Sequence, residues 1–250
     1  MMKKIINSIL FGGALLLGIF TISAQEKEID VASFNSVIIS PHIEVTFVEG
    51  DREMVTIENS DVPFEKININ VEGNTLKVYL DGAKSYTKSK KVKHDNYKEY
   101  QQLYRGTQLS LTVTYKNLNK LSVRGEENIR LESPIDQKNF DMTIYGESDV
   151  LIKSAVVENL KVVMYGQSYL KIESGEAEYQ RYKAYGESEV NALGLANKSA
   201  KITAYGESEF RVSVSERLKV TSYGESEINY QGNPSIDKGV VLGENRLRKI

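Results

Sequence analysis

The chain is 250 residues long, with 32 basic against 34 acidic side chains, fifteen tyrosines, no cysteine and no tryptophan. The near-neutral balance excludes a protein-wide field directed at nucleic acid or an anionic membrane. The missing cysteines exclude a disulfide framework and a lipidated cysteine, and the recurrence of Tyr, Val, Ile and Thr favours strands over helices.

In chain order, the first element reads as an export signal. Lys3 and Lys4 precede an apolar stretch from Ile5 to Ile22, and Ser23-Ala24-Gln25 supplies a small-residue cleavage site. Residues 1–24 are therefore expected to be removed, leaving 30 basic and 34 acidic residues. The mature chain is expected to be exported to the periplasm, the outer-membrane surface or the medium, without stable membrane insertion.

Residues 25–80 alternate apolar and polar in Ile43-Glu44-Val45-Thr46-Phe47, Ile67-Asn68-Ile69-Asn70-Val71 and Leu76-Lys77-Val78-Tyr79-Leu80, with turns at Glu49-Gly50-Asp51 and Glu72-Gly73-Asn74. They are expected to form an antiparallel sheet or irregular coils that cap the next region, since an unprotected edge invites aggregation. Residues 81–108 change character, mixing Lys84, Lys88, Lys90, Lys91, Lys93 and Lys98 with Tyr86, Tyr97, Tyr100 and Tyr104. This segment reads as an insertion between strands that end near Leu80 and resume near Leu109.

Residues 109–250 carry a repeat. Gly125, Gly146, Gly166, Gly186, Gly206, Gly224 and Gly243 fall at intervals of 21, 20, 20, 20, 18 and 19, a solenoid period. The turns read Tyr145-Gly-Glu147-Ser148-Asp149, Tyr165-Gly-Gln167-Ser168-Tyr169 and Tyr185-Gly-Glu187-Ser188-Glu189, with near-copies at Tyr205 and Tyr223. Apolar residues stand two and four positions before most of these glycines (Ile144 and Met142, Met164 and Val162) and four and six after them (Val150 and Ile152, Phe210 and Val212). Two half-buried strands and two turns thus make one coil of about 20 residues, and coils stack with equivalent positions in columns. The glycine is expected at a corner that needs a positive φ or excludes a Cβ.

Several further segments resemble one known family: Phe34-Asn35-Ser36-Val37, the two glycine turns at Gly50 and Gly73, Tyr115 to Gly125, and Tyr230-Gln231-Gly232-Asn233-Pro234. On these the chain is similar to the auto-transporter adhesin head domain family, also called the GIN domain, found mostly in exported Bacteroidetes proteins. The usual Ser-Gly-Ser-Gly type turn is replaced here by Tyr-Gly-Glu-Ser. The resemblance spans nearly all of residues 25–250 as one domain and implies an all-β fold, a right-handed parallel β-helix (β-solenoid). It supplies no catalytic residues.

Two columns carry the candidate chemistry. Glu126, Glu147, Gln167, Glu187, Glu207, Glu225 and Glu244 follow the glycines, and Asp149, Tyr169, Glu189, Glu209 and Glu227 stand two positions further on. Carboxylates one coil apart repel by roughly 0.9 kcal/mol per pair in water, so the column must stay wet, with serines holding the turns, or bind cations. Glu187, Glu189, Glu207, Glu209, Glu225 and Glu227 are the candidate calcium column. The tyrosines before the glycines form a ladder that stiffens the corner or a strip that stacks on sugar rings. The repeat breaks at Gln167 and Tyr169, near Tyr179 and Tyr182. The candidate ligand-binding residues are accordingly Tyr145, Tyr165, Gln167, Tyr169, Tyr185, Glu187, Tyr205 and Glu207.

His42 and His94 are the only histidines and lack metal-ligand spacing, and nucleophile-elbow and phosphate-cradling motifs are missing. The expectation is a non-enzymatic interaction module, adhesin-like and without cofactor, that meets a glycan or protein partner and no nucleic acid. A β-helical lyase or hydrolase and a purely structural envelope scaffold are the alternatives.

Overall fold

Alternation of period two runs through nearly every segment of the chain, and each alternating segment is a strand. The computed structural model describes residues 27–93 and 98–250. The export signal, its cleavage site and His94 lie outside the described residues. The first nine strands are β1 (Lys27–Asp30), β2 (Ser36–Ile39), β3 (Ile43–Glu49), β4 (Met54–Ser60), β5 (Ile67–Glu72), β6 (Thr75–Leu80), β7 (Ser89–Lys93), β8 (Lys98–Gln102) and β9 (Leu109–Tyr115). The repeats supply β10 (Lys120–Gly125), β11 (Asn128–Leu131), β12 (Ile135–Gly146), β13 (Asp149–Ile152), β14 (Ala155–Gly166), β15 (Tyr169–Ile172) and β16 (Gly175–Gly186). The array continues with β17 (Ser188–Tyr205), β18 (Ser208–Tyr223), β19 (Ser226–Gln231), β20 (Ser235–Leu242) and β21 (Asn245–Lys249).

The repeats stack as a parallel β-solenoid. On the face before the glycines, β10, β12, β14, β16, β17, β18 and β20 pair in order, each residue beside its equivalent one coil away, as in Tyr145 beside Tyr165 and Tyr165 beside Tyr185. On the face after them, β11, β13, β15, β17, β18, β19 and β21 do the same. The alternating apolar residues fill one continuous core: Met142, Ile144, Val150, Ile152, Phe210 and Val212 are all buried.

The lead-in region follows a different order. β2 and β3 form a coil that lies against β10 and β11 on one side and against β6 and β9, which come later in the chain, on the other. The outermost coil is therefore β6 and β9, joined through residues 81–108. Antiparallel β5 and β4 cover its edge, and β1 extends β4. Residues 25–80, expected as an antiparallel sheet or irregular coils capping the stack, divide between the two: β2, β3 and β6 are coils of it, with Val37, Ile39, Val45, Phe47, Leu76 and Val78 turned into the core, while β4 and β5 lie antiparallel at its edge. Residues 81–108 do leave the stack between Leu80 and Leu109, and carry the separate hairpin of β7 and β8.

Candidate functional site

The corner between the two faces follows from its glycines. All seven have φ between 98° and 129°, a conformation that L side chains avoid. A Cβ on Gly166 would also lie 2.2 Å from the carbonyl oxygen of Gly146. That oxygen is engaged twice: the Gln167 backbone N–H donates to it at 2.9 Å and the Ser168 hydroxyl at 2.9 Å. Ser148 and Ser188 repeat the bond to Gly125 and Gly166. The serine column is thus buried and turned inward, and from Ser148 to Ser208 it is an internal clamp from one coil to the one before.

Tyr145, Tyr165, Tyr185, Tyr205 and Tyr223 stack in one row, with centroids 4.9–5.0 Å apart and planes within 6° of parallel. The guanidinium of Arg124 closes one end, 5.5 Å from the Tyr145 ring. Because each ring covers the faces of its neighbours, the ladder has no open ring face along its length on which a sugar could stack. The exposed part of each ring, 36–39 % for Tyr145, Tyr165, Tyr205 and Tyr223, is its edge and hydroxyl. The sugar-stacking reading is corrected accordingly.

At the corner, Gln167 donates to Glu187 Oε2 at 2.8 Å, so the amide that interrupts the acidic column relieves one carboxylate contact. Arg211 sits between Glu189 (3.3 Å) and Glu209 (2.7 Å). Among the described residues no group of three or more acidic or histidine side chains converges to hold a metal ion. The calcium column Glu187, Glu189, Glu207, Glu209, Glu225 and Glu227 forms no such group, and where Glu207, Glu225, Glu227 and Glu244 line one pocket, Arg246 lines it with them.

The irregular coil does not assemble a patch. Tyr169 pairs with Asp149 and Glu189 on the face after the glycine, while Tyr179 pairs with Asn159 and Ser199 on the stack before it. Tyr182 is inside, packed 6.2 Å from Phe210, and donates to Gln180 Oε1 at 2.8 Å.

A column absent from the expectations flanks the tyrosines. Five residues before the glycines from Gly125 to Gly224 stand Lys120, Asp141, Lys161, Arg181, Lys201 and Lys219, in register. Lys183 lies between this column and Tyr185, and its strand neighbours are Val163 and Thr203. At the far end Asp237 pairs with Lys219 (3.2 Å) and Arg217 (2.6 Å); the bonds from Arg217 and then Lys219 hold its carboxyl below the usual carboxylate range. Among the described residues, Lys161, Lys183 and Lys201 make no ion pair, and the Arg181 guanidinium lies 5.6 Å from the Tyr179 ring with its Nε lacking an acceptor. The tyrosine ladder therefore divides a cationic column on one side from the acidic corner on the other. The signal for it was the same spacing of 20, 20 and 18 that revealed the glycines.

Elsewhere, a groove of about 580 Å³ runs along the second corner, floored by Val156, Val157, Ala177 and Val214. Its rim charges are largely matched, Lys138 to Glu158 (3.3 Å) and Lys198 to Glu178 (2.6 Å). His42 has φ 71° and is buried. Its Nδ1 donates to the Gly106 carbonyl (2.8 Å) and its Nε2 meets the Thr87 hydroxyl (2.6 Å), so it pins residues 81–108 to the corner of its coil. Its other neighbour is Glu127, 3.8 Å away, at the place where later coils carry serine.

A family model described as "Putative auto-transporter adhesin, head GIN domain" matches residues 33–234. The chain belongs to that family. Three solved structures share the fold. One described as a putative adhesin from Bacteroides fragilis is 20% identical with a TM-score of 0.74, covering 90% of this chain and 96% of its own. Another, from Parabacteroides merdae, is 17% identical with a TM-score of 0.64, covering 90% and 95%. A protein from Parabacteroides distasonis described as a putative lipid binding protein is 18% identical with a TM-score of 0.67, covering 90% and 96%. A search of curated proteins finds no match. Among the described residues no helix is long and apolar enough to cross a membrane.

Proposed function

We propose that this GIN-domain protein is an exported, non-catalytic, adhesin-like module that holds an extended glycan along the face carrying its tyrosine ladder. The observation behind the reading is translational. The same hydroxyl-bearing edge recurs every 4.9–5.0 Å over five coils, a one-dimensional lattice suited to a polymer rather than to one small molecule. An enzyme would need a singular reactive group, and this face repeats its groups evenly. Of the residues expected to bind ligand, Tyr145, Tyr165, Tyr185 and Tyr205 lie on this face. Gln167, Glu187 and Glu207 border it at the corner, and Tyr169 lies beyond the corner. The expected leader at residues 1–24 and the adhesin family match support export.

The test is capture of the protein on a glycan panel, alongside a triple variant Tyr165→Phe, Tyr185→Phe, Tyr205→Phe that keeps the stacked rings and removes three hydroxyls. At about 1 kcal/mol per hydrogen bond, the variant should bind at least tenfold more weakly. Failure of every glycan to retain the protein, or undiminished binding by the variant, overturns the proposal.

A further inference from the structure

We propose that the glycan held on this face is acidic, a polysaccharide bearing carboxylate or sulfate groups, and that Lys161, Arg181, Lys183 and Lys201 bind its charges. The inference rests on the reading of the ladder face as a polymer-binding surface and adds the chemistry of the polymer.

Three observations converge. First, Lys161, Arg181 and Lys201 are direct ladder neighbours, so three cations stand one coil apart with Lys183 beside them. Like charges at that spacing repel, and the fold does nothing to relieve the middle of the column. Only the far end is relieved, by Asp237 paired with Lys219; Asp141, the ladder neighbour of Lys161, makes no ion pair with it. Second, the polar groups without an ion pair at the centre of this surface are donors or carry one: the three lysines, the Arg181 guanidinium, and the hydroxyls of Tyr165, Tyr185 and Tyr205. The carboxylates are set apart past the glycine corner. A surface of donors selects a ligand of acceptors, and a guanidinium or ammonium bonds most strongly to an ionised acceptor. Third, the cations recur with the coil. A pyranose residue in an extended chain advances by a distance comparable with one coil, so a polymer charged on successive residues meets a cation at each step. A compact anion engages one or two of them and leaves the rest unrelieved.

The acidic corner adds direction. Glu187 and Glu207 lie just beyond the tyrosines and repel a polyanion, which confines it to the strip between the corner and the cation column.

The experiment measures affinity of the protein for polygalacturonate, dextran sulfate and uncharged dextran across a salt series, with DNA and phosphatidylglycerol vesicles as other polyanions. Binding to the acidic polysaccharides should exceed binding to dextran at least tenfold and fall steeply with salt, as contacts to a regularly charged polymer do. The double variant Lys161→Glu, Lys201→Glu should lose at least tenfold. Lys161→Gln with Lys201→Gln should lose less, and Glu207→Gln with Glu225→Gln, which removes repulsion at the corner, should bind more tightly. Melting curves of each variant separate lost binding from lost fold, and the glutamine pair carries the test if the glutamate pair unfolds. Undiminished binding by the lysine variants overturns the proposal, as does tighter binding to DNA or vesicles than to either acidic polysaccharide. Binding of dextran as tight as that of polygalacturonate overturns the acidic ligand and leaves the glycan reading standing. If no polysaccharide binds, both fall.

Discussion

From Ile135 to Gln231 the strand neighbour of a residue is its equivalent one repeat away, whereas in the lead-in β2, β3, β4 and β9 take neighbours from far along the chain. Ile43 pairs with Leu109 and with nothing twenty residues on. The array closes each coil with a local turn, so its contacts are short in sequence and one coil templates the next. The lead-in region must close long loops to set β6 and β9 outside β2 and β3, and loop closure carries an entropic cost. In return the stack gains an end covered by antiparallel strands instead of a bare parallel edge. Backbone geometry is therefore imposed by neighbouring coils in the array, and by local turns in the lead-in.

Glycine substitution tests this difference most severely. Gly186→Val combines φ of 116° with a Cβ that would sit 2.6 Å from the Gly166 oxygen, and should cost roughly 3 kcal/mol or more. Gly73→Ala, at φ of 60° with open space around it, should cost about 1 kcal/mol. Urea unfolding of both variants measures the gap, and equal losses would break the comparison.

Next in size is the serine clamp. Ser168→Ala removes the 2.9 Å bond to Gly146 and should cost about 1 kcal/mol. Ser208→Ala, whose bond to Gly186 is 3.4 Å, should cost less. Melting temperatures in that order support a clamp that tightens toward Gly125; the reverse order does not.

The smallest effect at neutral pH concerns buried phenols. Burial, with Glu49 nearby, pushes Tyr115 up to about 12, and burial pushes Tyr182 up as well. Unfolded tyrosine ionises near pH 10, so the fold favours the protonated phenol. The stability this contributes is complete below about pH 10 and is lost as pH rises from there toward 12. Tyr115→Phe, in the lead-in, removes a buried hydroxyl that has no partner; it should leave melting unchanged at pH 7 and reduce the loss at pH 11. Tyr182→Phe, in the array, strands Gln180 Oε1 and should cost about 1 kcal/mol at pH 7. Identical behaviour at pH 7 would show that the array core tolerates an unpaired amide as readily as the lead-in tolerates an unpaired phenol.

Much of the array is readable from residue order. The parity of alternation alone places Tyr182 inside, since Met142, Val162 and Ile202 occupy the same position four before the glycine. Proximity in sequence had suggested a patch with Tyr169, and parity contradicts it. The cation column was equally periodic but lay within strands whose outward residues look like ordinary solvated charge. Its meaning depends on Lys161, Lys183 and Lys201 making no ion pair among the described residues, which is a fact of three neighbouring strands at once. The lead-in coil order was not readable, because without a period nothing in β2 and β3 marks β6 and β9 as their neighbours.

The residues by themselves determined the solenoid, its period, its glycine corner and the columns of tyrosine, acid and serine, because a repeat stacked in register turns sequence spacing directly into spatial adjacency. Tertiary structure alone decided that the tyrosine rings cover one another, that no three acids among the described residues converge as a metal site, and that β2 and β3 lie inside the stack. Each of these depends on side-chain direction or on pairing between strands distant in sequence, and residue spacing encodes neither.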